Sequence, residues 1–331
     1  MWISKTGYRL SISGGSTDTK SFYKKYGETL LIGASLSKSC YVSVNKIPNF
    51  DDTIYQIFYS NVEKIHKDDI NLIKNLTVRG TLKYLKEIYS DLTKISIYIS
   101  SEAPHLSGLG SSSSLILGIL NCVHRMYNNK LSPKELADQA ILIERGEHYC
   151  NQVGGIQDAI WPSFGSINSM KIDSNGSFIM KPLPISKEFI EYFKKSSLLV
   201  YINSRKSFDV AASHENKVAD DYKLKIRDLS YQMYDAFCSE NIISIGEILN
   251  KTWEEKRKIS NLISNENIDK IYSNIIDLGC YGGRLMGTGG GGCMFIVFSE
   301  EKRDKIINEI NLPTIPIDFD YLGSRIIFKE D

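Results

Sequence analysis

The sequence predicts an α+β fold. Three observations carry that reading: a strand-rich first hundred residues, helical segments that follow and separate the strands, and a C-terminal third that repeats the mixed pattern. Apolar runs at 8–13, 29–34, 40–44 and 95–99 are bounded by Gly, Asn, Asp or Ser and read as strands. Between 68 and 90, Ile70, Leu72, Ile73, Leu76, Leu82, Leu85 and Ile88 recur near a helical period, and 115–127 and 133–147 do so again. A stretch rich in Gly, Ser, Asn and Pro at 164–184 precedes a strand at 198–202 and helices at 220–239 and 242–259. The last part reads as a helix at 267–278, a glycine-rich turn, a strand at 293–298, a helix at 301–309 and a terminal strand at 324–328.

The chain has 331 residues, about twice a typical domain, so two packed domains are expected, 1–190 and 191–331. With 40 basic against 39 acidic residues the net charge is +1, which gives no field to recruit nucleic acid or a membrane. The longest apolar stretches, 115–120 and 294–298, fall far short of the roughly 20 residues that span a bilayer. The start, Met1-Trp2-Ile3-Ser4-Lys5, lacks the charge and apolar pattern of a secretory leader, so a cytoplasmic location is expected. The six cysteines are scattered with no C-x-x-C pair, which predicts reduced, structural thiols. The five histidines form no paired metal-ligand spacing.

The segment with the most chemistry is Pro104-His-Leu-Ser-Gly108-Leu109-Gly110-Ser111-Ser112-Ser113-Ser114, which follows a strand and opens onto a helical run. Glycines let a backbone approach a polyphosphate, the free N–H groups of a helix start point at it, and serine hydroxyls donate to phosphate or ligate a divalent cation. ATP and Mg²⁺ fit that layout. There is no G-x-x-x-x-G-K-[ST], so the segment is not a P-loop, and no H-R-D or D-F-G element marks a protein kinase.

The segment resembles the P-x-x-x-G-L-[GS]-S-S-A signature of the GHMP kinases, named for galactokinase, homoserine kinase, mevalonate kinase and phosphomevalonate kinase. Ser113 and Ser114 stand where alanines are usual. Two further stretches are similar to the family's other motifs, in order: Arg9-Leu-Ser-Ile-Ser-Gly14-Gly15-Ser16-Thr17-Asp18 near the start, and Met286-Gly-Thr-Gly289-Gly290-Gly291-Gly292-Cys293 near the end. The resemblance spans residues 9 to 298. It implies an N-terminal ribosomal-protein-S5-like domain packed on a C-terminal ferredoxin-like domain, with the active site in the cleft between them.

The resemblance also implies roles. Pro104, Gly108, Leu109, Gly110, Ser111, Ser112 and Ser113, with Gly289, Gly290 and Gly291, would bind ATP. Asp158 would be the catalytic carboxylate, and Arg9 the cation that keeps it ionised and stabilises developing charge. Glu147, eleven positions before Asp158, would bind Mg²⁺ together with Ser112. Ser111 is the alternative hydroxyl and Glu144 the rival carboxylate. Gly14, Gly15, Ser16, Thr17, Asp18 and Gly155 would contact the sugar.

The run R-[LIV]-S-[IF]-x-G-G-[GS]-T-D resembles the branch of the family that phosphorylates the anomeric hydroxyl of a heptose 7-phosphate. A small-molecule sugar phosphate is then the partner, with Arg205 and Lys206 as candidate ligands for its distal phosphate. A kinase for a neutral sugar, fucokinase-like or galactokinase-like, is the alternative. A silent sugar-binding regulator on the same fold is a third reading, and the oligomeric expectation is a monomer or homodimer.

Overall fold

Two long antiparallel strands, β1 (Trp2–Ser13) and β2 (Thr29–Lys46), form the backbone of an eight-stranded sheet in this computed structural model. The structure describes residues 1–104, 106–204, 210 and 217–329, and for 217 and 218 the backbone alone. The two strands read separately at 29–34 and 40–44 are halves of β2. The polar interval between them stays in the sheet because β1 pairs across it, from Gly7 opposite Ser39 to Arg9 opposite Ser35, with a register shift between.

β2 then serves two neighbours. Its second half pairs with β5 (Ile95–Ser101), which pairs in turn with β3 (Tyr55–Phe58) and through it β4 (Val62–Ile65). Its first half pairs with β6 (Ile167–Ile172), which forms a hairpin with β7 (Phe178–Pro182). The Gly-, Ser- and Asn-rich stretch at 164–184 is therefore a hairpin. Its turn is pinned by Asp173, whose Oδ1 accepts the N–H groups of Asn175 and Ser177 at 2.8 and 2.9 Å.

Across this sheet lies the largely buried α3 (Ser111–Met126), flanked by α2 (Leu76–Ile88), α4 (Pro133–Arg145) and α5 (Gln157–Phe164). α4 begins at a capping box between Ser132 and Glu135 with Pro133 at its first position. The short α1 (Lys20–Tyr26) joins β1 to β2, and α6 (Lys187–Lys195) leads into the second unit.

That unit is a four-stranded antiparallel sheet ordered β11-β8-β10-β9, from β8 (Ser197–Asn203), β9 (Gly282–Leu285), β10 (Gly292–Val297) and β11 (Thr314–Pro316). Helices α7 (Lys217–Cys238), α8 (Ile242–Ile259), α9 (Glu266–Asp277) and α10 (Arg303–Ile310) complete it. Both faces of its central strands are buried. Cys293, Phe295 and Val297 of β10 join the large core of the first unit, whereas Met294 and Ile296 face a second core with Trp253 and Ile263. The period-2 alternation of a strand thus ties the two units together.

The division at 190/191 needs one correction at the chain's end. The terminal strand β12 (Arg325–Lys329) pairs with β1 in the first sheet, so the C-terminus returns to the N-terminal unit. There it covers what would otherwise be the open edge of β1. Among the described residues, no helix is long and apolar enough to cross a membrane.

Candidate active site

The site is built on one face of β1. Tyr8, Leu10 and Ile12 point into the core, and strand alternation puts Arg9, Ser11 and Ser13 on the opposite face. Arg9 is 4% exposed. Its backbone N–H donates to Leu109 O at 3.0 Å and its Nη1 donates to Gly108 O, so the serine turn is fastened to β1. Its Nε donates to Asp158 Oδ1 at 2.6 Å, a charge-assisted bond with the carboxylate one quarter exposed to the cleft.

Gly110 is the N-cap of α3 with φ 75°, and a Cβ there would stand 2.9 Å from Arg9 Cγ. Only glycine gives both the left-handed turn and that approach. The first amides of α3, at Ser111 to Ser113, therefore face the cleft beside Arg9, in the layout that binds phosphate groups. The third glycine segment locks onto this turn from the second unit: Cys293 N–H donates to Ser107 O at 2.8 Å. Buried Lys256 of α8 donates to Leu285 O and Gly287 O at 3.0 and 2.6 Å and holds that segment in place. Gly289 and Gly291 are buried and Gly290 is partly exposed, with its N–H on Ile263 O.

The serine hydroxyls divide their work. Ser113 is buried and donates to Glu144 Oε2 at 2.7 Å. Ser112 is half-buried, within 3.3 Å of Thr77 Oγ1 and Gln152 Oε1. Ser114 donates to Gly7 O and holds the turn.

Glu147 and its rival Glu144 differ in placement. α4 stops at Arg145 and Gly146, so Glu147 stands exposed on the following turn, while Glu144 lies on the buried face of the helix, 3% exposed, against the serine turn. Arg145 sits beside it, 3.3 Å from Glu144 Oε2 and 4.0 Å from Asp158 Oδ2, and it donates to Gly155 O at 2.6 Å. Asp158 thus lies between two guanidiniums, in the first turn of α5 where the helix dipole favours negative charge.

The first glycine turn carries Asp18, which is 1% exposed and accepts the Gln157 N–H at 3.0 Å. Burial raises its pKa, opposed by the Gln157 N–H and reinforced by the nearby charge of Asp158. A Cβ on Gly155 would overlap the Asp18 carboxylate, so glycine is required for the approach of that loop. Thr17 is buried and spends its hydroxyl on Gly14 O at 2.7 Å and Thr29 Oγ1 at 2.5 Å, so it shapes the turn. Gly14 and Ser16 adopt positive φ, 80° and 78°, and Gly15 and Ser16 stay partly exposed at the tip.

One buried cation here was not foreseen. Arg284 of β9 is 2% exposed, and its Nη2 donates to Ser11 Oγ at 3.0 Å. Its pKa is lowered to about 10 by burial and by the charge of Arg9, with Asp18 acting in the opposite sense. Arg205 and Lys206 lie outside the described residues, as does His105.

Three glycine-containing turns from distant parts of the chain thus meet around a paired arginine and aspartate at a helix N-terminus. The model of the GHMP kinases N terminal domain matches residues 72–166, and that of the GHMP kinases C terminal domain matches residues 233–313. The chain belongs to the GHMP kinases. As such it is a phosphotransferase with the GHMP kinase fold, and GHMP kinases take ATP as phosphoryl donor.

A D-glycero-alpha-D-manno-heptose 7-phosphate kinase from Campylobacter jejuni is 28% identical over 319 residues, covering 92% of each protein. A mevalonate kinase from Methanocaldococcus jannaschii is 28% identical over 322 residues, covering 94% of this GHMP kinase and 92% of the relative. The solved structure of a D-glycero-D-manno-heptose 1-phosphate kinase from Bacteroides thetaiotaomicron superposes with a TM-score of 0.81 over all of both chains, at 20% identity, a likeness of fold.

Proposed function

We propose that this GHMP kinase is a sugar-phosphate kinase that transfers the γ-phosphoryl of ATP to the anomeric hydroxyl of D-glycero-α-D-manno-heptose 7-phosphate, giving the 1,7-bisphosphate, in the cytoplasm. The observation that carries the chemistry is the 2.6 Å bond between Arg9 and Asp158 at the start of α3. The full-length likeness to a heptose 7-phosphate kinase supports the choice of acceptor.

Asp158 accepts the proton of the acceptor hydroxyl as its oxygen forms the new bond to phosphorus, while the bond from phosphorus to the ADP oxygen breaks. Arg9 fixes the rotamer of Asp158 and faces the charge that spreads over the transferred group. The amides of Ser111 to Ser113 hold the donor phosphates. Asp18, with the backbone around Gly15 and Gly155, receives sugar hydroxyls.

The buried Ser113 hydroxyl and Glu144 carboxylate, 2.7 Å apart beside the phosphate-binding turn, fit Mg²⁺, which takes one or two protein ligands and keeps several waters. Ser112, next to them, is the remaining hydroxyl in reach of the same place. When bound, Mg²⁺ would supply neutralisation of the donor's phosphate charge.

A coupled ADP assay over phosphorylated and neutral sugars tests this reading. Mg²⁺-dependent turnover of the heptose 7-phosphate, well above that of unphosphorylated heptose, galactose or fucose, is expected. Turnover confined to neutral sugars would replace the acceptor and leave the kinase.

A further inference from the structure

Arg284 is placed where a protein rarely leaves a charge. It is buried on β9, its Nε is enclosed without a hydrogen-bond partner, and among the described residues it forms no ion pair. Among the described residues, the one hydrogen bond of its guanidinium goes to the neutral hydroxyl of Ser11. Asp18 acts on it only from beyond ion-pair distance, so taking this guanidinium out of water is costly, and an incoming anion would offset that cost. The group remains a cation at neutral pH, since its pKa is lowered only to about 10.

Its position says which partner. Both terminal nitrogens face the first glycine turn: a Cβ on Gly15 would stand 3.2 Å from Nη2 and 3.6 Å from Nη1, so only a glycine hydrogen separates guanidinium and turn. Ser11 lies two residues along β1 from Arg9, on the same face and in unbroken register. Arg284 therefore meets the strand at a residue about 6–7 Å along the backbone from Arg9. The donor's phosphates approach from the α3 side, where the backbone of Gly108 and Leu109 is bonded to Arg9. Arg284 instead borders the turn that carries Asp18, the acceptor's side. An acceptor with its hydroxyl at Asp158 and an anionic group at its far end would bring a charge that pairs with Arg284 directly.

We propose that Arg284 receives the acceptor's own phosphate and so selects a phosphorylated sugar over its neutral counterpart. This rests on the acceptor assignment above and names the residue that enforces it. The planar guanidinium presents parallel N–H donors that match a phosphate edge.

The test compares wild type, Arg284→Met and Arg284→Lys with the heptose 7-phosphate and with unphosphorylated heptose, alongside the melting temperature of each free enzyme. The expected result is a fall of about 10- to 100-fold in the ratio of kcat/KM for the phosphorylated over the neutral sugar in Arg284→Met. Arg284→Lys should restore part of that ratio, and KM for ATP should hardly move. The melting temperature of Arg284→Met should stay level or rise, because an unpaired buried charge is removed.

If wild type favours the 7-phosphate and Arg284→Met keeps that preference, the inference is overturned while the acceptor assignment stands. Equal losses on both sugars, with a lowered melting temperature, would make Arg284 a packing residue and also overturn it. If wild type turns over only neutral sugars, the acceptor assignment fails, and titration with inorganic phosphate decides on Arg284 alone. Binding that competes with ATP, or persists in Arg284→Met, sinks the inference; ATP-independent binding lost in Arg284→Met keeps it.

Discussion

Arg9 and Arg284 reach the same face of β1 from opposite sides, both are buried, and they differ in what they meet. Arg9 closes on Asp158 at 2.6 Å, whereas Arg284 ends on a serine hydroxyl at 3.0 Å. The first is charge-compensated within the protein, which fits a group that must be in place before substrate arrives. The second feels Asp18 only from beyond ion-pair distance, which fits a group that reads the substrate. Pre-organisation and recognition are thus separated along about one strand repeat of β1.

Removing the compensating carboxylate tests the pre-organised half most severely. Asp158→Asn keeps the shape and removes the base, so kcat should fall by roughly 10²-fold or more, with ATP affinity measured by titration retained. Near-normal turnover would mean that proton acceptance lies elsewhere and that Asp158 only orients Arg9.

A second contrast separates two glutamates three positions apart. Glu144→Gln should lower kcat/KM by about 10-fold or more and raise the Mg²⁺ concentration needed for half-maximal rate. Glu147→Gln should stay within about twofold, as expected of an exposed side chain. The reverse ranking would return the metal to Glu147 and require the turn at 146–150 to rearrange on binding.

The same contrast shows what the sequence made legible. The buried stripe of α4 runs Leu136, Ala137, Ala140, Ile143, Glu144, a helical period that places Glu144 inward in phase with its apolar neighbours. Glu147 lies beyond the helix, where that period no longer fixes a direction. Arg9, Asp18 and the serine turn were marked by the motifs that carry the family resemblance, whose glycines announce backbone that must come close to something. Arg284 was not, because its burial arises from docking β9 against β1, a contact 273 residues apart in sequence. The return of β12 to β1 was missed for the same reason, since strand partners of distant segments leave no local pattern. The 164–184 hairpin was hidden by its turn-forming composition, which reads alike in a linker and in short paired strands.

The two arginines also predict opposite responses in stability. Arg9→Met leaves Asp158 without its nearest cation and should destabilise by about 2 kcal/mol, less than the 3–5 typical of a fully buried pair because Asp158 is 25% exposed. Arg284→Met should show no such loss in denaturant unfolding of the free enzyme. A comparable loss in both would mean that Arg284 is compensated in the free protein and would erase the distinction.

The smallest effect concerns Asp18, whose carboxyl is buried on the acceptor side and feels the charge of Asp158. Its folded-state pKa is raised above the usual carboxylate range by burial, so the fold favours the protonated form. The favourable contribution is present below the unfolded pKa and is lost as pH rises through the folded one. Above its folded-state pKa the ionised Asp18 therefore weighs against stability, as a group kept for binding rather than for folding. Asp18→Asn retains an oxygen to accept the Gln157 N–H and removes the charge. Its melting temperature relative to wild type should rise as pH increases from about 4 towards neutral, while KM for the sugar increases. A difference that stays flat or shrinks over that range would show that Asp18 is stabilised as an anion in the free enzyme, placing a compensating charge on the acceptor side and leaving Arg284 less in need of a phosphate.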